Sequence, residues 1–519
     1  MEIKSETSYT KNIKCSDVYT ESAVDYSLPD YLGDVRKILF TEATLRPSGR
    51  FAGGDEVEFS GVVVYNVIYL DSDGNLSSAE LTSDYDYTVK CSGESYKDSV
   101  SDTRVSAFSV RLAGPRKISA RASLVGSVRI SVQDMLSVSG NAFESEYSPE
   151  TSRKTVLVRN TKISSSTERE YAEQVATFEG AIMDDVKVVY SFAESICDSL
   201  SVEDGAVSVK GRLRISALVE SEDQAAFPSE KIIPFEEKVD FEGADPLMCF
   251  SPKLTVSSVK ANVNPTETGC ELVMNCILEL CVVADCNEPV ELLLDAYLKK
   301  ASSENSYQNF GYSSLVCHSS AKGTHNAEID RSSLESDLVR EIVLMTATPK
   351  VEKVECIDSV VNIHGEVRYS GIASEMIGDK ISYFSIKSSS PFATNVNIDC
   401  QKCDNLQIDA RVFAHSTAVN IDAENIYVSC VLESDVLVCE EKNEKVLSAF
   451  SIKEGEDQDR VNAKITVYYP SDDDTLFSVA KRFKTSVLKV AKDNDISESV
   501  FSSNNPDGKL SGIKKLVIY

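Results

Sequence analysis

Up to about residue 460 the apolar positions of this chain recur with period two. Val57, Phe59, Gly61, Val63, Tyr65 and Val67 alternate with Glu58, Ser60, Val62, Val64, Asn66 and Ile68. Val207, Val209, Gly211, Leu213 and Ile215 alternate with Ser208, Lys210, Arg212 and Arg214. Val361, Ile363, Gly365, Val367 and Tyr369 alternate with Asn362, His364, Glu366 and Arg368. Each run predicts a half-buried β-strand, and all three share the form apolar-x-apolar-x-Gly-x-apolar-x-apolar. Their glycines stand 150 and 154 residues apart. Self-similarity at a fixed long period marks one structural unit used several times.

The surroundings repeat as well. A strand-like run precedes each glycine strand: Ile38–Leu45, Val186–Ile196 and Val343–Val354. A polar turn follows each one, at 71–74, 220–223 and 375–379. Next come segments bearing Tyr85–Val89, Ile233-Pro234-Phe235 and Ser390-Pro391-Phe392. Each copy closes on two alternating runs: Ser109–Leu112 with Ile118–Val132, Leu254–Val263 with Cys270–Val283, and Leu406–Phe413 with Ile426–Val438. The expected fold is therefore mainly β, with three repeated sandwich-like or barrel-like domains over 1–150, 151–302 and 303–458. A glycine inside a strand marks a bulge or a close backbone approach. The repeated placement of Gly61, Gly211 and Gly365 favours an architectural reason over a ligand contact. Short helical pieces are expected near Asp30–Lys37, Ser166–Val175 and Ser332–Arg340, where polar residues precede brief amphipathic runs.

The period changes in residues 465–519. Ile465, Val467 and Tyr469 alternate with Thr466 and Tyr468, predicting a strand. Pro470 and Asp472–Asp474 stop it and offer a helix N-cap. Leu476, Val479, Ala480 and Phe483 recur at i, i+3, i+4 and i+7, one apolar helix face. Ser486 precedes a second short helix with Val487, Val490 and Ala491 on its face, and Leu516-Val517-Ile518 reads as a strand able to pair with the first. This β-α-α-β order resembles the LysM family. That family opens on Gly-Asp-Thr-Leu-Trp-Ser-Ile-Ala, which here stands as Asp473-Asp474-Thr475-Leu476-Phe477-Ser478-Val479-Ala480. Asn494 matches the family's asparagine at the end of the second helix, and Ser511–Leu516 loosely matches its closing Val-Gly-x-x-Leu. Asp473 replaces the turn glycine, and Phe477 replaces tryptophan. The resemblance implies a shallow groove for polymers of N-acetylglucosamine, peptidoglycan or a chitin-like glycan. It would be lined by Asp474, Thr475, Leu476 and Phe477 on one side and Asn494, Asp495 and Ile496 on the other. Leu476 also fits a core position and Asp474 or Thr475 a helix cap. Phe477 lies off the main apolar face, and Lys481 and Lys484 could add charge contacts.

The β copies resemble the spore-coat-associated (SPOCS-type) domain of endospore-forming Clostridia. The residues that carry this are Leu28-Pro29, Asp34–Leu39, the strand Val57–Tyr69 and Arg116–Ala120. Three such domains followed by LysM resemble the clostridial spore-coat morphogenetic proteins that interact with the coat-basement ATPase. By that resemblance the chain is a scaffold without catalytic chemistry. It would act on the mother-cell side of the forespore surface, with the ATPase as protein partner of its LysM module. Self-association is open. The competing reading is a glycan-binding envelope or cortex protein, and a third is a hydrolase attached to LysM.

Composition narrows these choices. The 519 residues carry a net charge of −29, which makes nucleic acid and anionic membrane surfaces poor partners. Residues 465–519 hold eight basic and seven acidic side chains, so the acidic excess belongs to the β body. The opening 17 residues show no apolar core or small-residue cleavage site, from which a cytoplasmic location is expected. No apolar run approaches the roughly 20 residues of a membrane helix. Many of the 14 cysteines fall inside apolar alternations, as buried free thiols do. Cys400 and Cys403 form a lone CxxC without a second pair at metal spacing. The four histidines are His318, His325, His364 and His415. His364 falls on a polar strand phase, and His415 is placed after a strand. The adjacent Cys317-His318, read as lying in a Ser-rich loop, makes a poor nucleophile and base. No phosphate loop, GxSxG, HExxH or EF-hand spacing occurs. No enzyme, cofactor or metal is expected.

Overall fold

A computed structural model describes residues 5–53, 55–91, 95–144, 148–221, 224–336, 338–378, 380–398, 405–453, 465–497, 510 and 513–519. The chain is mainly β, and among the described residues its strands form seven antiparallel sheets. Residues 5–138 hold β1 (Ser5–Ser27), β2 (Val35–Gly53), β3 (Glu56–Asp71), β4 (Leu76–Lys90), β5 (Ser95–Gly114) and β6 (Lys117–Val138). They build two three-stranded sheets, β2-β3-β4 and β1-β6-β5. The buried phase of β3 and β4 packs on that of β6 in one core containing Val57, Val63, Tyr65, Leu81, Ile118 and Leu124.

The same order recurs twice. Residues 150–297 hold β7 (Glu150–Ile163), β8 (Thr167–Glu179), β9 (Val186–Glu203), β10 (Ala206–Ser221), β11 (Gln224–Asp240), β12 (Cys249–Pro265) and β13 (Gly269–Tyr297). Here β9-β10-β11 face β12-β13-β7, and β8 pairs with the first half of β13 while β7 pairs with the second. In effect one long edge strand is broken at 164–166. Residues 303–452 hold β14 (Ser303–Asp330), β15 (Glu341–Ile357), β16 (Val360–Ile377), β17 (Lys380–Asn397), β18 (Leu406–Ile421) and β19 (Asn425–Ile452), in sheets β15-β16-β17 and β14-β19-β18.

The expected helical pieces are not helices. Residues 167–179 are the edge strand β8, because Tyr171, Val175, Ala176 and Phe178 gain burial on the core only when paired with β13. Residues 30–34 are a turn leading directly into β2, and among the described residues near 332–340 there is one 3-10 turn, Arg331–Ser333, capped by Asp330. Cys317 and His318 lie within β14 and His415 within β18, so neither a loop nor a strand end holds them. Adjacent strand residues face opposite ways. Cys317 packs toward the core, while His318 Nε2 meets Asp435 Oδ1 at 2.5 Å, a hydrogen bond that raises the imidazole pKa. Cys400 and Cys403 lie outside the described residues.

Each repeated glycine occupies the same crowded position. Gly61 pairs with Tyr85, Gly211 with Phe235 and Gly365 with Phe392. On the other side the partner strand slips by a residue beside each glycine, between Pro47 and Gly49, Cys197 and Ser199, and Val351 and Lys353. A Cβ at Gly61 would stand 2.5 Å from the Tyr85 hydroxyl oxygen. At Gly211 it would meet the Ile196 carbonyl oxygen at 2.2 Å and the Phe235 ring at 2.5 Å. At Gly365 it would meet the Lys350 carbonyl at 2.1 Å and the Phe392 ring at 2.8 Å. Glycine thus leaves room for a bulge and an aromatic ring at once.

The three sheet pairs close into a ring. The Ser78 hydroxyl of β4 bonds the Val189 carbonyl of β9. The Ala226 N–H of β11 donates to Tyr383 Oη of β17 at 2.9 Å, and β16 and β17 lie against β2. Followed along the strands, residues of all three pairs meet in successive places. First comes an apolar cluster of matched positions: Leu39, Val189 and Val343; Phe40, Tyr190 and Leu344; Ile68, Leu218 and Ile372. This explains why β3 is buried on both faces beyond Val63. Further on lie ionic contacts, with Arg411 3.2 Å from Asp102 and Lys253 Nζ donating to the Ser101 carbonyl at 2.7 Å. Beside them Asp285 of β13 binds Arg129 of β6 at 3.2 Å and Arg159 of β7 at 2.8 Å. Arg159 also reaches Cys439 Sγ of β19 at 3.1 Å. A last apolar cluster joins Tyr9, Leu136, Val158, Val290, Phe310 and Val446.

Residues 466–518 hold β20 (Thr466–Tyr468), α1 (Leu476–Arg482), α2 (Val487–Asp493) and β21 (Leu516–Ile518), with β20 and β21 antiparallel. The expected helix faces are the buried ones. The strand phase is inverted: Ile465, Val467 and Tyr469 are exposed, while Tyr468 turns inward onto Phe483, with ring centroids 5.5 Å apart. No helix among the described residues is long and apolar enough to cross a membrane.

Substituting Gly211→Ala or Gly365→Ala should cost about 1–3 kcal/mol through overpacking. Gly323→Ala, where an added Cβ meets nothing within 4 Å, should stay within about 0.5 kcal/mol. Urea unfolding midpoints compare the three, and equal shifts would contradict the crowding account.

Candidate functional site

The two segments expected to carry recognition, 474–477 and 494–496, both pack on the core of the β-α-α-β module. The Leu510 N–H donates to the Asp474 carbonyl at 3.0 Å, and Leu476, Phe477, Ile496 and Leu510 share one apolar cluster. Most of the polar groups in these segments are committed to the module's own turns. Asp474 Oδ2 accepts from the Ser471 N–H at 2.8 Å, the Tyr468 hydroxyl at 2.8 Å and the Ser471 hydroxyl at 2.9 Å. Those bonds, the Ser471 amide first, hold its carboxyl below the ordinary range. The N-cap of α1 is Thr475, not one of the preceding aspartates. Its Oγ1 accepts from Ser478 N–H at 3.1 Å, and Ser478 Oγ in turn accepts from Thr475 N–H at 3.0 Å. Ser486 stands at the N-cap of α2 without a side-chain cap bond.

Leu476 is core, 1% exposed. Asn494 clamps α2 to β21. Its Nδ2 donates to the Val490 and Val517 carbonyls at 2.8 Å each, and its Oδ1 accepts from Val517 N–H at 2.6 Å. Asp495 takes a left-handed backbone, φ +53°, and its side chain is exposed. Ile496 is half-buried against the module core. Of the seven predicted residues, four therefore have structural bonds or core burial, and Phe477, Asp495 and Ile496 form what the module presents.

Phe477 is not turned freely to solvent. Its ring packs edge-on against Tyr297, at the end of β13, with centroids 5.3 Å apart. Tyr297 Oη donates to the Thr485 carbonyl at 2.6 Å, Lys481 pairs with Asp295, and Lys484 Nζ donates to Ser302 Oγ at 3.0 Å. The two lysines, for which simple solvation is the plainer expectation and charge contacts the alternative, are thus engaged by the β body. Sequence reasoning did not find Tyr297 and Asp295. The run Leu292–Leu298 carries apolar residues on both strand phases, which signals burial on two faces, but not what covers the second.

Among the described residues no group of three or more His, Cys, Asp or Glu could hold a metal ion. A separate, half-open cavity of about 1070 Å³ is lined by all three sheet pairs. Compared with protein-family models, curated proteins and solved structures, the chain finds no match.

The Tyr297–Phe477 contact should couple body and module. In a double-mutant cycle, Tyr297→Ala and Phe477→Ala should show about 0.5–1.5 kcal/mol of interaction energy, and Tyr297→Ala alone should speed amide exchange over 476–491. Additive effects with unchanged exchange would contradict the docking.

Proposed function

We propose that this chain is a scaffold that works by protein–protein recognition, with three β domains as its platform and a LysM-like module as its recognition element. One observation carries this reading. The polar side chains that would address a sugar, Asp474, Thr475 and Asn494, are spent on internal bonds. That leaves a half-buried apolar patch, Ile496 and the part of Phe477 that Tyr297 does not cover, bordered by the Asp495 carboxylate. Such a surface, with an apolar centre and a charged rim, suits a protein partner. The resemblance to spore-coat morphogenetic proteins names that partner as the coat-basement ATPase at the forespore surface. The acidic body discourages nonspecific association, while the near-neutral module keeps contact selective.

The test is co-sedimentation of the full chain with polymerised coat ATPase and, separately, with purified sacculi. The full chain should pellet with the ATPase and not with sacculi. A chain carrying Asp495→Lys and Ile496→Ser should bind the ATPase at least about tenfold more weakly, as loss of central contacts does. Pelleting with sacculi, abolished by N-acetylglucosamine oligomers, would overturn this reading in favour of glycan binding.

A further inference from the structure

The ring borders a half-open cavity that the C-terminal module does not use. This cavity of about 1070 Å³ is lined by long, consecutive stretches of strand edge: Val188–Ser195 of β9, Ile342–Thr348 of β15 and, more briefly, Thr44–Arg46 of β2. Each of these strands is laddered on one side alone, β9 to β10, β15 to β16 and β2 to β3. Among the described residues no ladder joins their second edges. Backbone N–H and C=O groups are obligatory hydrogen-bonding groups, and an open edge is a template for another strand. The eight residues of the β9 stretch span about 26 Å in extended form; the Ser78 hydroxyl already takes the Val189 carbonyl, so residues 190–195 are the part of the edge that can take a peptide.

The charges on the wall define what such a peptide would carry. Glu42, Glu80, Glu194 and Glu230 line the cavity against two cations, Arg46 and Arg214. Arg214 sits 2.5 Å from Glu230 and 3.9 Å from Glu194, and Arg46 is 3.7 Å from Glu80. Glu42 accepts from the Tyr190 hydroxyl at 2.9 Å. Two guanidiniums thus serve three of the four carboxylates, and among the described residues Glu42 has only neutral donors. Burial pushes the Glu194 carboxyl up, so a cation brought beside it would relieve an unfavourable charge.

We propose that the cavity receives an extended, basic segment of a partner protein, added as a strand along the free edge of β9 beside Glu194 and Glu230. The main chain of β9 supplies the hydrogen bonds, and the excess carboxylates select positive side chains on one face of the incoming strand. This site is separate from the module and does not depend on its partner.

The experiment uses the intact chain and a pool of acetylated octapeptides with lysine at every second position and random uncharged residues between. Saturating pool should slow amide exchange in 190–195 by at least about tenfold, as newly bonded edge amides do. The same pool with proline at alternate positions, which lacks the N–H groups, should not. Glu194→Gln with Glu230→Gln should weaken the lysine pool about threefold to tenfold at low salt. If that variant does not fold, a pool with glutamate for lysine on the unaltered protein makes the same comparison and should fail to bind. Unchanged exchange at 190–195, or equal protection by the proline or glutamate pools, would overturn the proposal.

Discussion

A single buried carboxylate ties the three sheet pairs together. Asp285 is 3% exposed and holds two guanidiniums, Arg129 from the first pair and Arg159 from its own, while Arg159 extends to Cys439 of the third. Burial alone would raise the pKa of this carboxyl. The charges of Arg129 and Arg159, with the Thr161 hydroxyl at 2.6 Å, outweigh it and hold the group ionised below its ordinary range. The apolar clusters on either side of this site supply most of the driving force, but apolar contact has no direction and would tolerate sliding. A buried ion cluster tolerates little, because losing one partner leaves an uncompensated charge. Asp285 sets the register between the pairs, and the flanking cores give them cohesion.

Closure has structural consequences. It turns one edge of each glycine-bearing sheet inward, which keeps exposed strand edges away from like neighbours. It also brings the long antiparallel pairs β1–β6, β7–β13 and β14–β19 together at one end, where Tyr9 and Phe310 pack edge-on at 5.0 Å. The end of β13 continues past this cluster and presents Tyr297 and Asp295 to the module. A contact made on Phe477 itself, next to the α1 cap, therefore decides how the module is held. Its interface with the body combines an aromatic contact with an ion pair and two hydrogen bonds.

Much of this was legible from residues alone. The period-two runs named the glycine strands and their neighbours, because those strands bury one clear face. The helices α1 and α2 were legible from Leu476, Val479 and Ala480 and from Val490 and Ala491, all buried. The first strand of each pair was not found. β1 and β14 are rich in Ser, Thr, Asn and Lys, since an edge strand with one solvated face needs few apolar residues. β8 was mistaken for a helix for the same reason. The phase of β20 could not be read, since three residues of strand offer too short a pattern and Tyr468 has both an apolar ring and a hydroxyl for Asp474. Of the recognition residues, Asp474, Thr475 and Asn494 followed from a family pattern, and their spacing alone does not separate binding from capping. Ring closure left one trace, the second apolar phase at Ile68, Leu218 and Ile372, and nothing local says which surfaces those residues meet.

Calorimetric unfolding of the full chain and of its Asp285→Asn variant tests the ring most directly. If the three sheet pairs form one cooperative body around Asp285, the body should melt in a single transition. The substitution should move that whole transition down, by the equivalent of about 3–5 kcal/mol for a broken buried ion cluster. Three separable transitions, with the variant shifting only one of them, would contradict the account.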